Sequence, residues 1–307
     1  MRSFTETLPA LLAVAALTAT TTAAVAPAAT VSPEGAGPVA ADRPRGLEVA
    51  VPAYVLPGDP MLAGLPTTHP APSIVILNPY NGYAPFDATW QARADSLRAA
   101  TTAHGGRTRV LGYVDTAHGT LPQAVVRATV DNYVRTADHR LHVDGIFLDQ
   151  SQRDCGAGNA DRDYYAELRG YVQEAVYAVA PQARDLVVDN PGTAVADCYL
   201  EPGHRTADVF VTFEGSGADC AGGWLGGNVF NHAAGYYSGA TLDPSGTAFW
   251  HLVYDTPDAT AMRATLDTAF TRGAGYVYTT DDELDIPWDA APGWGFATET
   301  AHAATKG

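Results

Sequence analysis

The chain has 307 residues, 46% hydrophobic and 17% charged, enough for one large core or two small ones. Lysine and arginine number 18 against 34 aspartates and glutamates, a formal net charge of -16. That balance excludes a nucleic-acid partner, because phosphate binding needs a basic surface, and it suits a neutral or cationic ligand.

The N-terminus reads as an export signal over residues 1–26. Arg2 gives a weak positive start, Leu8 to Leu17 is an apolar run too short to span a bilayer, and Ala24-Val25-Ala26 offers a cleavage site. Residues 27–45, rich in Ala, Pro and Gly, read as a disordered linker. Nothing later is apolar enough to cross a membrane. The expectation is a secreted protein, monomeric, with no membrane attachment once the signal is removed.

From residue 46 to residue 290, short β-rich runs alternate with helical segments. The runs are "LEVAVPAYV" (Leu47 to Val55), "SIVILN" (Ser73 to Asn78), "TRVLGYVD" (Thr108 to Asp115) and "VDGIFLDQ" (Val143 to Gln150). They continue with "LVVDN" (Leu186 to Asn190), "DVFVTFE" (Asp208 to Glu214), "AFWHLVY" (Ala248 to Tyr254) and "GYVYTT" (Gly275 to Thr280). Near-continuous apolar runs indicate strands covered on both faces, as in a parallel sheet. Between them, helical stripes recur. Trp90, Ala94 and Leu97 follow a capping Asp87, and Val126, Val130, Tyr133 and Val134 share a face. So do Tyr165, Leu168, Val172, Ala175, Val176 and Val179, and then Met262, Leu266, Ala269 and Phe270. The last helix is predicted to open at Thr256-Pro257-Asp258 and stop at Gly273. Eight strands in this alternation predict an α/β fold, a single (β/α)8 barrel, with residues 291–307 as a C-terminal tail. An open doubly wound sheet would want a phosphate-binding glycine loop after an early strand, and "VPAYVLPGDP" is not one.

In such a barrel the active site lies at the C-terminal strand ends. Those ends deliver Tyr54, Asn78, Tyr113, Asp115, Asp149, Asn190, Glu214, Tyr254 and the Thr279 to Asp282 region. Asp149 and Glu214, two strands apart, are the predicted catalytic pair. Two carboxylates in a sugar-sized cleft can split a glycosidic bond, one protonating the leaving oxygen and the other attacking or activating water. Tyr54, Tyr80, Tyr83, Tyr113, Trp250, Tyr254 and Trp288 are candidate sugar-stacking rings, some of them expected to pack against helices instead. Asp115, Gln150 and Asn190 are expected to bind substrate. His251, inside its strand, is either an interior histidine or a substrate contact. The acidic run Asp281 to Glu283 reads as a solvated loop from which Asp281 or Asp282 could reach the mouth, with Asp281 taken as the substrate contact, and Asp144 reads as structural. Cys155 and Cys198 lie a few residues past strand ends in loops expected to be neighbours, and are predicted to pair, leaving Cys220 over. No spacing suits zinc or an EF-hand, so no metal and no cofactor are expected. The glycine-rich "GWLGGN" (Gly223 to Asn228) lacks the Lys-Ser/Thr of a nucleotide loop.

The ordered set "VPAYVLPG", "SIVILNP", "VLGYVDT", "VDGIFLDQ", "DNPGT", "VTFEGS", "FWHLVYDTPD" and "GAGYVYTTDD" resembles the spherulin-4-like family from about Val49 to Trp288. The resemblance implies a (β/α)8 glycoside hydrolase, with fungal relatives acting as endo-α-1,4-N-acetylgalactosaminidases on galactosaminogalactan. It maps the family's strand-end acids onto Asp149 and Glu214. One departure stands out: where the fungal pattern has a second acid after the fourth-strand aspartate, this chain has Gln150. A barrel that binds extracellular or spore-wall polysaccharide without cleaving it is the alternative.

Overall fold

The computed structural model describes residues 46–183, 185–201, 203–222 and 248–306. The signal segment, the linker and the "GWLGGN" loop lie outside them. Eight parallel strands close into a barrel in chain order: β1 (Glu48–Ala53), β2 (Ile74–Leu77), β3 (Arg109–Asp115), β4 (Gly145–Asp149), β5 (Leu186–Asp189), β6 (Val209–Ser216), β7 (Ala248–Tyr254) and β8 (Tyr276–Thr279). Seven of the eight predicted runs hold a whole strand, and the sixth, Asp208 to Glu214, holds all of β6 but its last two residues, Gly215 and Ser216.

The helices are α1 (Pro60–Gly64), α2 (Ala88–Arg98), α3 (Gln123–Val134), α4 (Ala160–Val179), α5 (Gly217–Gly222), α6 (Ala259–Thr271) and α7 (Phe296–Ala303). The longer ones bury the predicted stripes against the strands. Asp87 caps α2 by accepting from the backbone N–H of Thr89 and Trp90. Two details of α6 differ from expectation. Its cap is Asp258, whose carboxylate accepts from Thr260 and Ala261, so Thr256 and Pro257 precede the helix. Phe270 is 42% exposed, because it sits one position round from Ala269, which takes the buried face.

The register of β6 against β7 positions the site. Val211 pairs with Trp250, and Phe213, two residues on, pairs with His251. Thr212 is therefore an extra residue, a bulge in the ladder. Neighbours across a parallel ladder share a face and successive residues alternate. Without the bulge Glu214 would face the helices. With it, Glu214 shares the face of Leu252 and Trp250, and the Trp250 ring lies 5.8 Å from that of Phe147 inside the barrel. Phe213 and His251 turn outward instead, and Phe213 joins Val253 and Cys220 in a small cluster.

At the opposite end, Asp144 precedes β4. Its buried carboxylate takes Arg98 at 3.1 Å, Arg107 at 2.6 Å and the N–H of Val110 at 3.0 Å. Two guanidinium groups and a backbone donor compensate the burial of this charge. It ties α2 and the start of β3 to β4.

The barrel's seam is less regular. The β1–β8 ladder runs only through Glu48↔Tyr276 and Val49↔Val277. Above it, Glu299 of α7 inserts a fully buried carboxylate that accepts from the Thr279 N–H at 2.8 Å and its hydroxyl at 3.1 Å. Residues past 290 are thus no mere tail: Phe296, Glu299, Thr300 and Ala303 are buried, and the helix covers the seam. The sequence shows too short an apolar stripe there to signal it.

Candidate active site

The fourth strand brings Asp149 to the mouth because Phe147 and Asp149 face inward while Ile146 and Leu148 face the helices. One carboxylate oxygen, Oδ2, accepts from the Tyr113 hydroxyl at 2.5 Å. The other, Oδ1, accepts from the Asn190 amide at 2.7 Å. The same Asn190 nitrogen donates to Glu214 Oε2 at 3.0 Å. The amide cannot be turned the other way round, since its oxygen accepts from the Gly192 N–H at 2.9 Å. Gly192 in turn accepts from the Glu214 N–H at 3.0 Å, so the loop after β5 holds both the bridge and the acid it bridges.

This bridge sets the spacing of the acids. Two oxygens at 2.7 and 3.0 Å from one nitrogen stand at most about 5.7 Å apart, and about 5 Å if they follow the two N–H directions of a planar amide. Paired carboxylates about 5–5.5 Å apart are the arrangement of retaining glycosidases, whereas inverting ones keep about 6.5–9.5 Å for a water.

The two acids differ electrically. Burial, and next the charge of Asp149, push Glu214 up to about 7, against hydrogen bonds from Asn190 and the Trp288 indole. Burial also raises Asp149, but it receives more help toward ionisation, from Tyr113, the backbone of Gln150 and Asn190. Glu214 is therefore the group set to hold a proton near neutrality, and Asp149 the one whose donors favour its charged form. Two like charges so close disfavour joint ionisation, and the partner with more hydrogen-bond donors ionises first.

Aromatic rings wall the pair. Tyr54 meets Tyr113 edge-on at 5.3 Å, and burial followed by the charge of Asp149 drives its phenol upward. Tyr254 lies edge-on to Trp288 at 6.4 Å. The Trp288 carbonyl accepts from the Tyr54 N–H at 3.0 Å, which links the loop after β8 to the end of β1.

The remaining predicted residues divide. Asp115 pairs with Asp149 in register, but its carboxylate accepts from the Ala117 N–H at 2.8 Å and shapes the loop after β3. Asn78 likewise turns to its own loop, accepting from the Asn81 N–H at 2.6 Å. Gln150 is exposed, with φ of 50°, and its carbonyl accepts from the Thr116 hydroxyl and the His118 N–H. Asp281 accepts from the Gly293 N–H at 2.8 Å and braces the loop ahead of α7. Trp250 is fully buried below the acids, so its ring is floor and cannot stack on a ligand. His251 is fully buried on the outer side, beside Phe213, and burial lowers it to about 3. It is an interior histidine; the bulge at Thr212 reassigned the faces in a way no alternation pattern shows.

Trp288, expected as a stacking ring, is placed instead as a hydrogen-bond partner of Glu214, a role the sequence does not signal because it lies nine positions beyond β8. Cys155 and Cys198 form a disulfide, and Cys220 is free and buried. Among the described residues, no group of three or more His, Cys, Asp or Glu is arranged to hold a metal, and no helix is long and apolar enough to cross a membrane.

Comparison with known proteins agrees with this architecture. The model of spherulation-specific family 4 matches residues 48–300. No curated protein sequence matches the chain. Among solved structures, Aspergillus clavatus Sph3 in complex with GalNAc superposes with a TM-score of 0.59 at 21% identity, over 84% of this chain and 98% of that one. The glycoside hydrolase domain of PgaB (BpsB) from Bordetella bronchiseptica gives 0.47 at 13% identity, over 76% and 94%. A GH39 beta-xylosidase from Caulobacter crescentus gives 0.45 at 14% identity, over 88% and 72%. The fold is of the type seen in Sph3, and the chain belongs to the Spherulin4 family, spherulation-specific family 4.

Proposed function

We propose that the protein is a secreted glycoside hydrolase that cleaves α-1,4-linked N-acetylgalactosamine or galactosamine polymers, galactosaminogalactan-like, within the chain and with retention of configuration. The observation that carries the reaction is the single Asn190 amide shared by Asp149 and Glu214. The substrate class is supported by the family and by a fungal structure similar in fold whose ligand is GalNAc.

In this mechanism Glu214, protonated near neutrality, gives its proton to the glycosidic oxygen as the bond to the anomeric carbon breaks. Asp149 attacks that carbon from the opposite face and forms a glycosyl ester. Glu214, now ionised, takes a proton from water, the water displaces Asp149, and both groups return to their starting states. Tyr113 and Asn190 hold the nucleophile from its two oxygens, so little reorganisation is needed as it reacts. Tyr54 and Tyr254 offer ring faces to the sugar. The disulfide Cys155–Cys198 fits an oxidising compartment and supports secretion.

The test is release of reducing ends from galactosaminogalactan by wild type, Asp149→Asn and Glu214→Gln. Wild type cleaves, and each variant loses at least about 100-fold. Cleavage that survives both substitutions sinks the assignment. Gln150 favours a second reading, because a neutral side chain follows the strand-end acid. Polymer binding by all three proteins with no cleavage by wild type would establish a binding barrel instead.

A further inference from the structure

The loop between β2 and α2 carries two of the candidate stacking rings, Tyr80 and Tyr83, outside the shell of residues that binds the two acids. Tyr80, Asn81 and Gly82 have φ of 54°, 55° and 82°, three successive residues in the left-handed region. Gly82 needs that backbone, and asparagine tolerates it, but for a tyrosine it is unfavourable. Burial gives nothing back: Tyr80 is 83% exposed and Tyr83 52% exposed. Among the described residues, the Tyr80 ring has no hydrogen-bond or ring partner. A glycine or asparagine would be cheaper at position 80, so the use of the ring lies outside the chain.

The loop is nevertheless held firmly. Asn132 of α3 donates to the carbonyls of Gly82 at 3.2 Å and Ala84 at 2.6 Å, and accepts from the Phe86 N–H at 3.2 Å. Gly82 seats against β3 and α3 so closely that a Cβ there would lie 2.5 Å from the Tyr113 carbonyl oxygen and 2.6 Å from Thr129. Asn78 fastens the near side through Asn81. The loop is also close to the acids in register. Leu77 pairs with Gly112, which places Asn78 level with Tyr113, the residue whose hydroxyl binds Asp149.

We propose that Tyr80, with Tyr83 beside it, is a stacking platform for a further pyranose of the polysaccharide chain, beyond the sugars at the cleaved bond. This rests on the reading of the site as one that binds an amino-sugar polymer. A rigid ring set out on the rim meets the C–H face of a sugar with little ordering cost. A protein partner fits worse. Pro79, Asn81, Gly82 and Ala84 flank the two rings, too small an apolar area for a stable interface.

The experiment uses the catalytically silenced Asp149→Asn protein in native gels containing galactosaminogalactan, with Tyr80→Ala and Tyr80→Phe added singly to it. Tyr80→Ala weakens retardation about tenfold, and Tyr80→Phe stays within about twofold of the parent. Tyr80→Gly leaves the thermal midpoint no lower than the parent's, which separates ligand stacking from a structural role. A parent that is retarded, with Tyr80→Ala retarded equally, overturns the platform and leaves the proposed function standing. Equal losses in Tyr80→Ala and Tyr80→Phe overturn stacking in favour of the hydroxyl. A parent that no α-linked amino-sugar polymer retards overturns both the platform and the reading it rests on.

Discussion

Replacing Asn190 by alanine removes one nitrogen that serves both acids. Hydrogen-bond donors favour the ionised form of a carboxylate, so their loss raises the pKa of both Asp149 and Glu214. A hydrogen bond to a charged group is worth about 1.5–3 kcal/mol, and one pKa unit corresponds to about 1.4 kcal/mol. Water entering the space left by the side chain replaces part of the lost bond, which leaves about one unit on each. The acidic limb of the rate profile follows ionisation of Asp149, and the basic limb follows deprotonation of Glu214, which starts at about 7. Both limbs therefore move to higher pH by about one unit. The optimum rate falls about 10- to 100-fold as the nucleophile loses one of its two supports. The assay is kcat/KM for polymer cleavage from about pH 3 to 10, wild type against Asn190→Ala, with circular dichroism as the check on folding. A folded variant whose limbs stay in place, or move to lower pH, refutes the shared-bridge account.

Tyr113→Phe removes the 2.5 Å hydroxyl contact to Asp149 alone, so the acidic limb rises by about one unit while the basic limb stays; a shift of both limbs contradicts the assignment. Glu299, fully buried, is pushed up to about 8 from its ordinary 4.5. Because the folded state holds this proton more tightly, its contribution is complete below the ordinary value and is lost as pH rises toward 8. Thermal midpoints of the wild type accordingly fall between about pH 5 and 8 more steeply than those of Glu299→Gln, and parallel slopes would show that this acid is not the source. The disulfide joins positions 43 apart, and closing a loop of that size stabilises by about 4 kcal/mol in the chain-entropy account. Urea unfolding with and without reductant measures it, and a change below about 1 kcal/mol rejects that estimate.

Much of this barrel is legible in its residues. Eight apolar runs separated by helical stripes are enough for the topology, because strands covered on both faces leave little polar alternation to confuse them. Asp149 was readable for the same reason: "GIFLD" is so apolar that its final acid can only emerge at the mouth. Glu214 is different. Its inward direction depends on Thr212, an extra residue that looks like any other in "VFVTFE", and the same bulge turns His251 away from the cleft. The site's support was also partly hidden. Asn190 was visible as a strand-end polar group, but its bridging role needs three loops in register. Trp288 and Glu299 lie beyond the last strand, where the sequence carries no period to place them, and long-range hydrogen bonds decide their positions.

The central claim is retention through a covalent ester on Asp149. Proton NMR of the first products of galactosaminogalactan cleavage, recorded before mutarotation, reads the configuration at the new reducing end. The acid spacing of about 5 Å predicts the α-anomer first, with the signal absent in Asp149→Asn and Glu214→Gln. The β-anomer appearing first, or an unchanged signal from either variant, would contradict the account.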